Sequence, residues 1–296
     1  MSRAIPFALC ALALLAGGCA GGRESQKLEA GTPGARASCP HSEEAGGTPA
    51  LPKICNVPKG GGGKVTQFST IDALLAGVYD GAFSCREVAA GGNLGLGTFD
   101  RLDGEMVVAD GRIFQVRVDG TVHRVPGSLT TPFATVVRFR ADRECSTSAP
   151  LTLRALEAQL DRVLPNPNAI YAIRLRGEFP VMKTRSVAAQ KKPYPALVDA
   201  AKAQSVFALG PARGTVVGFR FPPSCRGLNV PGYHLHFLSE DRTSGGHILD
   251  MTAAAGLRIE AQEVGRYEVV LPHGDGGFSR ASLGRDRSGE LQKVER

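Results

Sequence analysis

Three of the six histidines lie close together in the 296-residue chain, at His234, His236 and His247. His234 and His236 are two residues apart in an apolar stretch typical of a β-strand, where alternate side chains project from the same face. The polar segment 239–246 predicts a turn, after which His247 begins the next strand. If these strands pair as an antiparallel hairpin, the three imidazole rings converge on one point.

Three imidazoles with an open fourth position are typical ligands of a catalytic zinc ion rather than a structural one. Imidazole also binds copper, iron and nickel, so the ligands alone do not identify the metal. A His-x-His pair by itself is more often an ordinary pair of strand residues. The third histidine, at hairpin distance, is what favours a metal site.

Two other residues could serve such a metal, although each taken alone is more often exposed to solvent. Glu105 directly follows the turn dipeptide Asp103-Gly104, where a carboxylate can emerge at a sheet edge. Arg185 follows a predicted strand, and an arginine that faces a metal would bind an anionic substrate through two parallel hydrogen bonds.

Four segments carry a recognisable pattern: GTFDRLDGEM at 97–106, GEFPVMKTRSV at 177–187, QKKPYP at 190–195 and GLNVPGYHLHF at 227–237. Together they resemble the α-acetolactate decarboxylase family. The resemblance extends over about residues 65–296, and the histidine segment is its most specific part.

The resemblance implies one Zn²⁺ per chain, bound by His234, His236 and His247, and no organic cofactor. It also implies the fold of the family, two β-rich halves with the metal in the C-terminal one. The strand and turn patterns agree with this implication. We therefore expect an α+β, β-rich fold of two mostly antiparallel, sheet-like or barrel-like halves with a few helices.

The same resemblance assigns roles outside the histidines. Arg185 and Glu105 are implied to be catalytic, Arg185 also binding substrate, and Thr98 is implied to contact the substrate. The family further brings a catalytic carboxylate from the C-terminal tail into the site. Glu295 is the closest match for it in this sequence, and Glu290 is the alternative.

The implied reaction is the decarboxylation of 2-acetolactate to acetoin and CO2. Zinc bound to the ketone and hydroxyl oxygens of the substrate would act as a Lewis acid and stabilise an enediolate. Arg185 would hold the carboxylate, and the carboxyl group of Glu105 or Glu295 would supply a proton.

Two other functions remain open. A cupin-like oxygenase also carries a His-x-His motif on a strand, but it requires a downstream carboxylate ligand and iron, so metal analysis distinguishes it. The second is a non-enzymatic lipoprotein that binds metal or envelope material. In that protein Arg185 and Glu105 would matter only for folding.

Hydrophobic periodicity predicts the elements that position these residues. Helices are predicted over 69–77, with a Ser or Thr cap and a glycine stop, and over 153–164 and 194–207. Short strands joined by Asp-Gly turns are predicted over 97–125. Further strands are predicted over 169–179, 216–221, 233–238, 247–251 and 267–271. We divide this body into an N-terminal half, residues 65–165, and a C-terminal half, residues 166–296.

The N-terminus has the features of an export signal. Arg3 precedes an apolar run over 4–16, which is too short to span a bilayer, and small residues precede Cys19. We expect residues 1–18 to be a signal peptide of the lipoprotein type with Cys19 acylated; a plain signal peptide cut nearby is the alternative. The protein would then be exported, as a membrane-anchored lipoprotein or a periplasmic or extracellular protein. Residues 19–64 predict a flexible tether.

Composition and cysteine spacing limit the partners. The net charge is +7, but the basic residues are scattered and the chain contains no Trp, so we expect no nucleic-acid partner. No C-x-x-C pair is present, which argues against a cysteine zinc site, and Cys39 with Cys55 is a plausible local disulfide. The expected partners are a small-molecule substrate and a membrane reached through Cys19. A homodimer stays open, since the sequence does not set the oligomeric state.

Overall fold

The computed structural model describes residues 62–295. The expected signal peptide, Cys19, the Cys39–Cys55 pair and nearly all of the tether lie outside the described residues, so those expectations stay predictions from the sequence. Within residues 62–295, no helix has the length and apolar character needed to cross a membrane.

Strands account for most of the regular structure. They are β1 (Gly63–Phe68), β2 (Phe83–Ser84), β3 (Leu94–Thr98), β4 (Glu105–Ala109), β5 (Arg112–Val116), β6 (Val122–Arg124), β7 (Thr130–Thr131), β8 (Ala134–Val137), β9 (Arg143–Ser146), β10 (Leu151–Thr152), β11 (Ile170–Phe179), β12 (Val181–Ser186), β13 (Ser205–Ala208), β14 (Ala212–Phe221), β15 (Gly232–Ser239), β16 (Gly245–Ala253) and β17 (Arg258–Val270). The α-helices are α1 (Ile71–Leu75), α2 (Cys85–Gly91), α3 (Leu153–Val163), α4 (Leu197–Ala200), α5 (Gly277–Arg280) and α6 (Ser288–Glu295). The expectation of a β-rich α+β fold with few helices is confirmed.

Fifteen of the strands form one sheet in the order β13-β12-β16-β15-β14-β11-β17-β1-β8-β3-β4-β5-β6, with β10 paired to β16 and β9 to β17. β2 and β7 form a separate two-stranded sheet. The pair β1–β17 is parallel, and the other described pairs are antiparallel. The long strand β17 connects β1, the first described strand, with β11 from the middle of the chain, because it pairs with β11 on one side and with β1 on the other. The division at residue 165 remains a sequence-based prediction.

The large sheet curls, so that β3 and β4 pack against β14 and β15. An apolar cluster fills the space between the two parts of the sheet. Its members include Val107 and Phe114 from β4 and β5, and Val217, Phe219 and Leu238 from β14 and β15. Burial of apolar surface from both parts of the sheet stabilises the curl. The curl brings the start of β4 next to the centre of β15.

A second apolar cluster joins α1, α4 and α6 beside the curled sheet. It includes Ile71, Leu74, Leu197, Leu291 and Val294. Thr70 caps α1 by accepting a hydrogen bond from the Ala73 amide, as the sequence predicted. This cluster holds the end of the C-terminal helix α6 next to the strands β15 and β16, which carry the histidines.

The helix predicted over 153–164 is confirmed as α3, whose Leu156 and Leu160 are fully buried. The meander predicted over 97–125 is also confirmed, with turns at the Asp-Gly dipeptides between short strands. At Gly104, φ is +84°, a conformation that favours glycine. The strands predicted over 216–221, 233–238, 247–251 and 267–271 are present as β14, β15, β16 and β17, and each is longer than predicted.

The helix predicted over 194–207 is wrong. Only α4 and a 3₁₀ turn at Ala201–Ala203 are helical, and residues 205–208 form the edge strand β13. Ala196, at the N-cap of α4, has no side-chain oxygen to accept a hydrogen bond from the first helical turn, so the helix lacks this stabilisation. Pairing of β13 with β12, together with the strand preference of Val206 and Phe207, outweighs the helical pattern.

Candidate metal centre and active site

Strands β15 and β16 form the hairpin that the sequence predicted around the histidines. His236 lies directly opposite His247. His234 precedes His236 by two residues on β15 and therefore lies on the same face of the strand. The three ring centroids are 5.0–5.3 Å apart. One nitrogen from each ring lies within 4.8 Å of the others, and all three side chains are buried. The structure thus brings the three histidines together at one point.

The buried rings are held in their neutral form. Burial and, to a smaller extent, the nearby positive charge of Arg185 lower the pKa of His234 to about 3. The pKa values of His236 and His247 are also well below the usual range, chiefly because of burial. A neutral imidazole keeps a lone pair that can bind a metal.

His236 shows how one ring is oriented. Its Nδ1–H donates a 2.8 Å hydrogen bond to the carbonyl oxygen of Met106 on β4. Its Nε2 is buried and has no hydrogen-bond partner among residues 62–295, and the same holds for Nδ1 of His234. A carbonyl that fixes one ring nitrogen while the other faces a cluster of imidazoles is a common arrangement around protein-bound metals. The three histidines therefore fit a divalent cation such as zinc, which binds imidazole nitrogen at about 2.0–2.1 Å.

Two carboxyl groups lie beside the histidines. Glu105 begins β4 and places Oε2 3.7 Å from Nε2 of His236. Glu295 ends α6 and places Oε2 3.7 Å from Nε2 of His234 and 3.9 Å from Nε2 of His247. Burial raises the pKa of each carboxyl group to about 7, although the positive charge of Arg185 acts in the opposite direction. Each group can therefore carry a proton near neutral pH.

Arg185 lies on β12 directly opposite His247 of β16. Its side chain is only 6% exposed, and its Nη2 is 3.9 Å from Oε1 of Glu295. Its Nη1 donates a 3.0 Å hydrogen bond to Oε1 of Gln204, whereas its buried Nε has no partner within the described part of the chain. A buried guanidinium with unused donors fits an anionic ligand.

Thr98 lies opposite Glu105 on the neighbouring strand β3. Its hydroxyl donates a 2.7 Å hydrogen bond to the Gly104 carbonyl, in the turn that precedes Glu105. Thr98 also lines the pocket above the histidines. The structure therefore places it where it can contact a ligand and hold the Glu105 turn.

The structure does not bring Glu290 into the site. Its carboxylate accepts hydrogen bonds from Arg285 at 2.6 Å and Arg287 at 2.8 Å. Of the two tail carboxylates considered from the sequence, Glu295 is the one beside the histidines.

Several site features could not be read from the sequence. Met106 acts through its backbone carbonyl, for which side-chain type gives no signal. Gln204 was placed on a predicted helix rather than beside Arg185. The apolar wall of the pocket comes from distant parts of the chain: Ile71, Leu74, Leu102, Phe133, Val187, Leu197 and Val294.

Comparisons with known proteins identify the family to which the chain is similar. The family model of alpha-acetolactate decarboxylase matches residues 65–285. The alpha-acetolactate decarboxylase of Methanosarcina mazei is 45% identical over 231 residues, which cover 78% of this chain and 79% of that protein. The alpha-acetolactate decarboxylase of Methylococcus capsulatus is 40% identical over 232 residues, covering 78% of this chain and 88% of that protein.

A solved structure is similar over the same part of the chain. The crystal structure of alpha-acetolactate decarboxylase from Bacillus subtilis strain 168 superposes with a TM-score of 0.76 at 36% identity, and the match covers 78% of this chain and 99% of that one. Sequence and fold point to the same group of carboxy-lyases, and this chain belongs to the α-acetolactate decarboxylase family.

Proposed function

We propose that this protein decarboxylates 2-acetolactate to acetoin and CO2, with zinc bound by His234, His236 and His247. The observation that carries the proposal is the convergence of three neutral, buried imidazoles with one buried guanidinium and two carboxyl groups. Membership of the family supports the choice of substrate.

The bond to be broken joins the carboxylate carbon to a carbon that bears a hydroxyl and a ketone. Its electron pair stays on the substrate when CO2 leaves, so the site must accept growing negative charge. Bound zinc would supply Lewis acidity toward the ketone and hydroxyl oxygens of the substrate. The protein supports this chemistry by presenting three buried, uncharged imidazoles, one of which, His236, is oriented by the Met106 carbonyl.

Arg185 would bind the carboxylate of the substrate. It is a buried cation whose charge acts on all three histidines, and it faces His247 across neighbouring strands. Its unused donors fit two carboxylate oxygens, and its charge complements the charge that develops during the reaction.

Glu105 and Glu295 would hold and deliver the proton that replaces CO2. Both carboxyl groups are close to the histidines, and burial favours the protonated form of each. The proton has to arrive at one face of the planar carbon that CO2 has left. The position of the donor therefore sets the configuration of the acetoin formed.

The apolar wall would exclude bulk water and accept the methyl groups of the substrate. Leu102 contributes from the turn between β3 and β4, Phe133 from the residue before β8, and Val294 from α6. Exclusion of water strengthens the electrostatic interactions inside the pocket.

The test is incubation of the purified, zinc-loaded protein with racemic 2-acetolactate while acetoin is measured by gas chromatography. We expect acetoin to form, removal of the metal with a chelator to abolish the activity, and added Zn²⁺ to restore it. Acetoin formation at the spontaneous rate, with metal bound in full stoichiometry, would contradict the proposed function.

Arg185→Lys is expected to lower turnover by roughly a hundred- to a thousandfold, the usual effect of removing one preorganised donor. Lysine keeps the charge but loses the planar pair of donors. Zinc content should be unchanged, because Arg185 is not a ligand. Arg174→Lys is the matched control, since Arg174 makes a two-pronged pair with Glu260 away from the histidines and should affect melting rather than turnover. Near wild-type turnover for Arg185→Lys would remove this residue from the mechanism.

A further inference from the structure

We infer that Gln204 is a positioning residue that presents one edge of the Arg185 guanidinium to the carboxylate of the substrate. The inference deepens the proposed function and rests on it. It follows from three observations: which donors of Arg185 are already used, which acidic group lies nearest to the rest, and how the chain places Gln204.

A guanidinium has a side edge on which Nε–H and Nη2–H point in the same direction, and this edge matches the two oxygens of a carboxylate. In Arg185 that edge is unused. Nη1, on the opposite side, is the nitrogen that donates to Gln204 at 3.0 Å. Nε is buried without a partner in residues 62–295, and Nη2 has Glu295 at 3.9 Å, beyond hydrogen-bond distance.

The partner of Nη1 is a neutral amide, and its neutrality matters. An amide oxygen fixes the orientation of the guanidinium without cancelling its positive charge, which a carboxylate at the same position would do. Without the amide oxygen, the nearest strong acceptor for Arg185 is Oε1 of Glu295. A direct pair between these two side chains would occupy the edge that binds substrate and would also engage the tail carboxyl group.

The backbone explains why Gln204 reaches Arg185. The 3₁₀ turn Ala201–Ala203 ends at Gln204, whose ψ of 147° returns the chain to an extended conformation. β13 then pairs with β12, with Val206 directly opposite Arg185. Since residues two apart on an extended chain share a face, Gln204 projects on the same side of the sheet as Arg185.

The test compares two ligands that are not turned over. 2-Hydroxyisobutyrate keeps the carboxylate and the tertiary hydroxyl of the substrate, whereas acetoin has no carboxylate. We expect Gln204→Met, which keeps the chain length but replaces the amide oxygen with a weak acceptor, to lower the affinity of zinc-loaded protein for 2-hydroxyisobutyrate by about tenfold in calorimetric titration. Acetoin affinity should stay within about twofold, and zinc content should not change. In turnover assays KM for acetolactate should rise by more than kcat falls.

Gln190→Met is the matched control, because the Gln190 amide donates to the Ala188 carbonyl within its own loop and does not contact Arg185. Its ligand affinities should equal those of wild type.

If Gln204→Met unfolds or loses zinc, the same measurements are made on Gln204→Asn, whose amide is one methylene too short to reach Nη1. Unchanged affinity for 2-hydroxyisobutyrate, or an equal loss for both ligands, would overturn the inference. Because neither ligand is turned over, this outcome is separate from a failure of wild-type protein to form acetoin, which would contradict the proposed function instead.

Discussion

Replacing His236 with alanine is expected to leave the protein without stoichiometric zinc and without acetoin-forming activity. The same is expected for His234→Ala and His247→Ala, because the three rings share one centre. Zinc binding to zinc-finger peptides, the best-measured structural sites, is worth roughly 10–16 kcal/mol at neutral pH. If three ligands share that free energy, losing one costs on the order of 3–5 kcal/mol, or about a hundred- to a few thousandfold in metal affinity.

Elemental analysis of each variant after dialysis measures the effect directly. His123→Ala and His273→Ala are the controls, since both side chains are exposed and neither belongs to the cluster. They should keep a full equivalent of zinc. A full equivalent in His234→Ala, His236→Ala and His247→Ala together would refute the metal site.

The hairpin that carries the histidines was predictable because its signals are local. Alternation along 233–238 places His234 and His236 on one face, and the polar turn fixes the separation to His247. The helix α3 and the Asp-Gly meander were predictable for the same reason. In each case the spacing of the apolar residues and the residues that end the element predicted the same secondary structure.

The surroundings of the hairpin depend on contacts between distant parts of the chain. The curl of the sheet places the Met106 carbonyl against His236, 130 residues away in sequence. Glu295 reaches His234 because α6 packs its Leu291 and Val294 against α1 and α4. No local pattern specifies such packing, so the position of the tail carboxylate came from family resemblance alone.

The wrong prediction over 194–207 has a direct bearing on the site. A continuous helix would have carried Gln204 along one helical face, away from any fixed relation to β12. In the structure the helix ends early, and the pairing of β13 with β12 sets Gln204 beside Arg185. The competition between helical periodicity and sheet pairing was decided by long-range contacts.

Glu105→Gln is expected to lower turnover by roughly a hundred- to ten-thousandfold, the range typical of a lost general acid. Glutamine keeps the size of the side chain and its capacity for hydrogen bonding, but it cannot deliver the proton. Zinc content and melting temperature should stay close to wild type, since Glu105 is not among the three proposed ligands. Any acetoin that still forms should lose stereochemical purity if water supplies the proton from either face.

Glu295→Gln separates the roles of the two carboxyl groups. Glu295 lies beside His234, His247 and Arg185, whereas Glu105 lies beside His236, so the two groups approach the cluster next to different rings. The group that delivers the proton is the one whose glutamine variant yields racemic acetoin. The other variant should slow turnover while the product keeps its configuration.

Glu290→Gln is the control for the tail, because Glu290 lies on the same helix but pairs with Arg285 and Arg287 outside the site. It should keep nearly full turnover and product purity. Chiral gas chromatography of acetoin from all three variants, beside zinc analysis and a thermal melt, decides the assignment. If Glu105→Gln and Glu295→Gln both keep wild-type turnover, neither carboxyl group donates the proton. If they lose zinc or unfold instead, these residues stabilise the centre, and the proton must come from another group or from water.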